Sequence, residues 1–187
     1  MSSLILGVAL WAITHFIPTL AIPFRERLIH RLGKLAYRGL FASSVLSAVA
    51  LIITGWQAVD PVVVFVLPNW STTITTGLVL MALILMTATR TKTNLKRVVR
   101  HPLLTGLTAW GTGHLLSNGD SRSIVLFGGL AVWATVEIQL INRRDGEWIK
   151  PEQVTLKSDL VTVIIAGVIF TALFVAHPYF TGVTLVN

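Results

Sequence analysis

Apolar residues run along this chain in long blocks nearly free of charge, separated by short polar connections. A helix that crosses a bilayer needs about 20 predominantly apolar residues. Six blocks meet that length, at about 3–22, 36–57, 72–89, 101–119, 123–142 and 160–180. The first, third, fourth and sixth contain no Asp, Glu, Lys or Arg; the second has Arg38 near its start and the fifth has Glu137. The fourth block holds Gly106, Gly111, Gly113 and two histidines, and glycine is tolerated in membrane helices. The stretch 61–67 (PVVVFVL), between Pro61 and Pro68, is too short to span and is expected at the outer interface, anchored by Trp56 and Trp70. No repeat of fixed period and no composition shift divides residues 1–187. The pattern predicts one all-α integral membrane domain, a bundle of about six transmembrane helices.

Charge orients that bundle. Residues 23–34 carry four basic side chains, 90–100 carry five, and 143–159 carry four together with four acidic ones. The alternate connections are nearly bare: 58–71 has only Asp60, and 120–122 has one Asp and one Arg. Positive charge favours the cytoplasmic side, so both termini are expected outside and the three basic connections inside. Met1-Ser2-Ser3 supplies no basic region and no A-x-A pattern ends the first block, so a retained first helix is expected rather than a signal peptide.

Composition agrees. The chain is 53% hydrophobic and 12% charged, about half the charge of an average soluble domain, and its mean hydropathy is +0.75. The net charge of +7 does not point to nucleic acid, because 13 of the 15 basic residues sit in the inner connections without the aromatic interleaving of a nucleic-acid groove. With no cysteine there is no disulfide, thiolate metal site or covalently attached c-type haem.

Ionisable residues inside a bilayer are functional candidates. Here they are His15, His101, His114, Glu137 and His177, with His30 expected in a basic loop. At a rise of about 1.5 Å per residue, His15 lies roughly 18 Å below the outer edge of the first helix and His114 roughly 6–8 Å below the outer end of the fourth. His101 and His114 are separated by ~140° around one helix axis and do not face one ligand together. His101 precedes Pro102, which suits the first position of a helix, so capping or headgroup contact also accounts for it. Glu137 falls in the inner third of the fifth helix, where pairing is the expected way to lower its cost. Paired histidines from facing helices are a known donor set for haem iron.

The run Arg100-His101-Pro102, followed by Gly106, Trp110, His114-Leu115-Leu116 and Asn118-Gly119-Asp120, resembles the core of the NnrU family. His15, the stretch from Gly33 to Leu40, and Leu126 through Trp133 to Arg143-Arg144 are similar to the same pattern. The resemblance implies a multi-pass protein of the bacterial inner membrane, associated with nitrite and nitric oxide reduction in denitrification. The related plant ζ-carotene isomerase binds b-type haem, and by motif its axial histidines fall on His15 and His114. A haem b cofactor with these two ligands is therefore implied, together with either redox work or an isomerase-like reaction on a hydrophobic small molecule.

A second resemblance competes. An Arg-His-Pro segment before a Trp-containing apolar helix is similar to membrane methyltransferases of isoprenylcysteine and phospholipid amines, which would place Arg100 and His101 on S-adenosylmethionine. The Glu-Glu pair of those enzymes is missing among Glu137, Glu147 and Glu152. A third reading is non-enzymatic: an assembly partner of a membrane reductase complex, surrounded by membrane lipids, with the histidines and Glu137 as internal polar glue.

Overall fold

A computed structural model describes residues 1–182, and the side chain of Phe180 is not described. The C-terminal end assigned to the outside therefore lies outside the described residues. The helices are α1 (Ser2–Leu20), α2 (Ile22–Leu32), α3 (Lys34–Gln57), α4 (Trp70–Ala88), α5 (Pro102–Ser117), α6 (Ser121–Asp145) and α7 (Leu156–Thr181). A 3₁₀ turn, Asn94–Arg97, precedes α5, and α6 contains a π-helical turn at Ile124–Gly128. Among the described residues the sole β pairing is one antiparallel bridge between Val63 and Asp120.

Five helices, α1, α3, α4, α6 and α7, are long and apolar enough to cross a membrane. The expected span at 101–119 is shorter, a helix of 16 residues or about 24 Å, against a hydrocarbon core of about 30 Å. Proline opens it, and it ends at Asn118. Its neighbours explain how it manages with less apolar surface. It lies between α4 and α6, with Gly106 against the Ala82 carbonyl and Gly111 against the Phe127 carbonyl, and glycine permits that approach. The basic stretch expected as a loop at 23–34 is mostly helical: α2 carries Arg25, Arg27, His30 and Arg31, with Pro23 in its first turn. Gly33 separates α2 from α3 at φ 85°, ψ 158°, a conformation restricted to glycine.

Contacts arrange the helices in a row with the order α3, α1, α6, α5, α4, α7, and α2 against α3. End positions explain exposure: 11% of the most apolar window is buried in α3 and α7, against 28% in α1 and α6. Each seam of the row carries a threonine hydroxyl that bonds across it. Thr14 meets Ser44 at 2.7 Å between α1 and α3, and Thr19 donates to Glu137 between α1 and α6. Thr108 meets Thr135 at 3.3 Å between α5 and α6, Thr75 donates to the Gly113 carbonyl at 2.8 Å between α4 and α5, and Thr91 meets Thr162 at 2.8 Å between α4 and α7. In hydrocarbon, a hydroxyl has no solvent partner, so such bonds hold apolar helices in register.

The 61–67 stretch is extended and forms a strap across the corner between α5 and α6. The Val64 and Phe65 amides donate to the Gly119 carbonyl at 2.8 and 3.0 Å, and the Ser121 amide donates to the Val62 carbonyl at 2.8 Å. Asp120 caps α6 by accepting the Arg122 and Ser123 amides at 3.1 Å each. The Arg122 guanidinium sits 4.3 Å from the centre of the Trp56 ring and ties the corner to the end of α3.

A Cβ at position 111 would lie 2.6 Å from the Phe127 carbonyl oxygen, whereas one at position 39 meets nothing within 4 Å. Gly111→Leu is expected to destabilise the protein by about 1–3 kcal/mol, read as a lower melting temperature in detergent. Gly39→Ala is expected to leave that temperature unchanged or slightly raised. Equal melting temperatures for Gly111→Leu and the parent chain would show the α5–α6 seam to be looser than described.

Candidate functional site

Two helices carry the same local arrangement, Trp-x-x-x-His: Trp11 with His15 on α1, and Trp110 with His114 on α5. Residues four apart share a helix face. In each pair histidine Nδ1 lies 2.8 Å from the tryptophan carbonyl oxygen. A carbonyl accepts and cannot donate, so Nδ1 carries the hydrogen and Nε2 of the neutral ring keeps a lone pair. Among the described residues neither Nε2 has a hydrogen-bond partner. Both rings are half-buried and present one basic nitrogen each.

Aromatic neighbours fix the rings. His15 stacks on Trp11 at 4.4 Å between centroids and meets Trp133 and Phe41 edge-on at 5.1 and 5.4 Å. His114 stacks on Phe127 at 4.5 Å and leans on Trp110 at 4.7 Å. Helix α6 thus supplies a wall to each histidine, Phe127 to one and Trp133 to the other. Those residues are six apart, a rise of about 9 Å, close to the depth offset expected from the sequence. The π turn holds Phe127, and π turns recur at functional sites. Between the two boxes lies the apolar cluster of Leu130, Trp133 and Ala134, against which Trp11 and Trp110 both pack.

Of the other candidates, Arg100 and His101 bond away from both boxes. Arg100 donates to the Gly146 carbonyl at 2.8 Å, and His101 Nε2 lies 3.0 Å from Asn142 Oδ1. Both tie the start of α5 to the C-terminal end of α6. His177, near the outer end of α7, bonds Thr181, whose hydroxyl is 3.0 Å from its Nδ1. Glu137 is 5% exposed, and one oxygen accepts from Thr19, one turn along α1 from His15.

Three buried polar atoms around His15 have no hydrogen-bond partner among the described residues: Trp11 Nε1, Trp133 Nε1 and Glu137 Oε2. The sequence marks Glu137 as a candidate and Trp133 only as part of the family pattern, and leaves out Trp11 and Thr19; the Trp-x-x-x-His spacing shared by two helices is the signal that points to Trp11. Among the described residues no three His, Asp or Glu side chains gather into a cage for a bare metal ion. Each of the two imidazoles keeps one ring nitrogen without a hydrogen-bond partner among the described residues.

Thr19 and Glu137 make a direct test of the α1–α6 seam. Thr19→Val and Glu137→Gln, alone and together, are expected to show a coupling of about 0.6–1.7 kcal/mol in a double-mutant cycle of detergent stability. Additive effects would mean that the hydrogen bond contributes nothing to holding the helices.

A family model described as NnrU protein matches residues 3–185 of the 187-residue chain. No curated protein and no solved structure matches it. The Arg100-His101-Pro102 corner, the Trp110–His114 box and the Asn118-Gly119-Asp120 turn all fall within that match. Shown by this match over nearly its whole length, and consistent with its apolar helices, the chain belongs to the NnrU family of membrane proteins.

Proposed function

We propose that this NnrU protein binds b-type haem within its helix row, where His15 and His114 would hold it, and serves nitrite or nitric oxide reduction in the bacterial inner membrane. The observation that carries this reading is the matched pair of Trp-x-x-x-His boxes, each with Nδ1 anchored on a backbone carbonyl and Nε2 left as a lone-pair donor. Anchoring the far nitrogen orients the ring and raises the basicity of the ligating one. A haem held there would supply a one-electron couple.

The chain's own residues perform four tasks. His15 and His114 hold the iron. Trp11 and Trp110 fix the imidazoles by accepting their Nδ1 hydrogens. Phe127 and Trp133 keep the rings upright and exclude water from both boxes. Trp11 and Trp133 supply indole donors near His15. A haem-dependent isomerase-like reaction on a hydrophobic substrate uses the same ligands, and substrate turnover separates it from pure electron transfer.

The methyltransferase reading needs Arg100 and His101 to reach a nucleoside cofactor, yet both bond the C-terminal end of α6. The assembly-partner reading gains support from threonine bonds at every seam, which account for much of the buried polarity without catalysis.

Purified in detergent and mixed with haemin, the protein is expected to give a shifted Soret band and sharp low-spin bands on reduction. His15→Ala and His114→Ala are each expected to abolish the low-spin spectrum, and a variant that keeps some haem is expected to bind carbon monoxide when reduced. No Soret shift in the parent chain, or a His114→Ala spectrum identical to it, would sink the proposal.

A further inference from the structure

At the inner boundary, the end of α4 and the start of α7 enclose a cleft of about 330 Å³ lined by Thr91, Lys92, Thr155, Lys157, Ser158 and Val161. It lies apart from both histidine boxes. Lys92 and Lys157 line it together with Thr155 and Ser158, whose hydroxyls lie 3.4 Å apart and bond each other. Thr91 is engaged elsewhere, bonding the Thr87 carbonyl at 3.2 Å and Thr162 at 2.8 Å, and so fixes the backbone beside Lys92.

No carboxylate neutralises these lysines: among the described residues neither forms an ion pair. The nearest acid in sequence, Asp159, is fully engaged on another side. Its Oδ1 accepts from Thr93 Oγ1 at 2.6 Å and from the Asn94 amide at 2.7 Å, and its Oδ2 accepts from Asn94 Nδ2 at 2.7 Å. It lines an adjoining cleft with Asn94, Leu95 and Val98 rather than this one. Lys96 and Arg97 are likewise engaged, on the carbonyls of Thr89 and Pro151. Lys92 and Lys157 remain as unneutralised charge.

The surroundings say what kind of anion belongs there. Leu156, Leu160 and Val161 are 82%, 58% and 45% exposed at the start of the membrane-spanning α7. A soluble anion would leave that apolar rim bare, whereas a phospholipid covers it with acyl chain. Basic pockets between helices at the cytoplasmic level suit anionic headgroups. We infer that this cleft binds the phosphate headgroup of an anionic phospholipid of the cytoplasmic leaflet. Lys92 and Lys157 flank the phosphate, the Thr155–Ser158 hydroxyl pair donates to its oxygens, and the acyl chains run along Leu160 and Val161.

The test uses the full-length protein in detergent, with phosphatidylglycerol and phosphatidylcholine offered in equal amounts and retained lipid counted by native mass spectrometry. Phosphatidylglycerol is expected to be retained preferentially, and Lys92→Gln with Lys157→Gln is expected to weaken it about 30-fold, the contribution of two lysines at an anionic surface. Lys34→Gln with Arg38→Gln removes the same charge from α3 and is expected to leave retention unchanged. Both lysines of the cleft are exposed, and circular dichroism checks that each variant keeps its helices. Melting temperature provides a second reading, rising with phosphatidylglycerol in the parent chain and not in the double variant. Equal retention of the two lipids, undiminished retention by the Lys92/Lys157 variant, or displacement of phosphatidylglycerol by inorganic phosphate at matched concentration would each overturn the inference.

Discussion

A hydroxyl or carboxyl in hydrocarbon must find its partner within the protein, and that requirement organises this fold. Threonines answer it at all five seams of the helix row. The bond from Thr19 to Glu137 matters most, because it holds a carboxyl that is 5% exposed and joins the two helices that frame His15. Leaving such a group without a donor costs about 1–3 kcal/mol or more. Register along the α1–α6 seam follows from it: with Thr19 opposite Glu137, the residues one turn outward are His15 and Trp133, and they meet.

Helix α6 is the shared wall of the molecule. Phe127 and Trp133 project toward different helices, and the π turn at Ile124–Gly128 adds the extra residue that rotates one aromatic relative to the other. Asp120 starts the helix with a side-chain cap, and Asn142 and Gly146 receive His101 and Arg100 at its other end. The Arg-His-Pro segment thus acts as a clasp at one end of α6, while the Asn-Gly-Asp turn and the strap of 61–67 close the other.

Much of this was legible in the amino-acid sequence, for reasons of solvent alone. Charge is so expensive in hydrocarbon that the 13 basic residues of the inner connections mark the helix boundaries. His15 and His114 stood out because ionisable groups are rare there. Helix α2 was hidden because its basic residues read as a loop, although an interfacial helix carries such charge equally well. The shortness of α5 was hidden because burial between two neighbours replaces intrinsic hydropathy. The partner of Glu137 lies 118 residues away, and no local spacing announces it. A π turn leaves no signature in residue type.

The row also sets a timetable. Helices α1 and α3 leave the ribosome early, whereas α6, the other neighbour of α1, follows much later. Synthesis at about 5–20 residues per second leaves the 118-residue gap between Thr19 and Glu137 open for roughly 6–24 s. Through that interval the polar face of α1 sits in the membrane against lipid or insertion machinery. The wall that His15 requires arrives second from last among the described helices, so a nascent chain stalled before Trp133 carries its first histidine with no box to hold it.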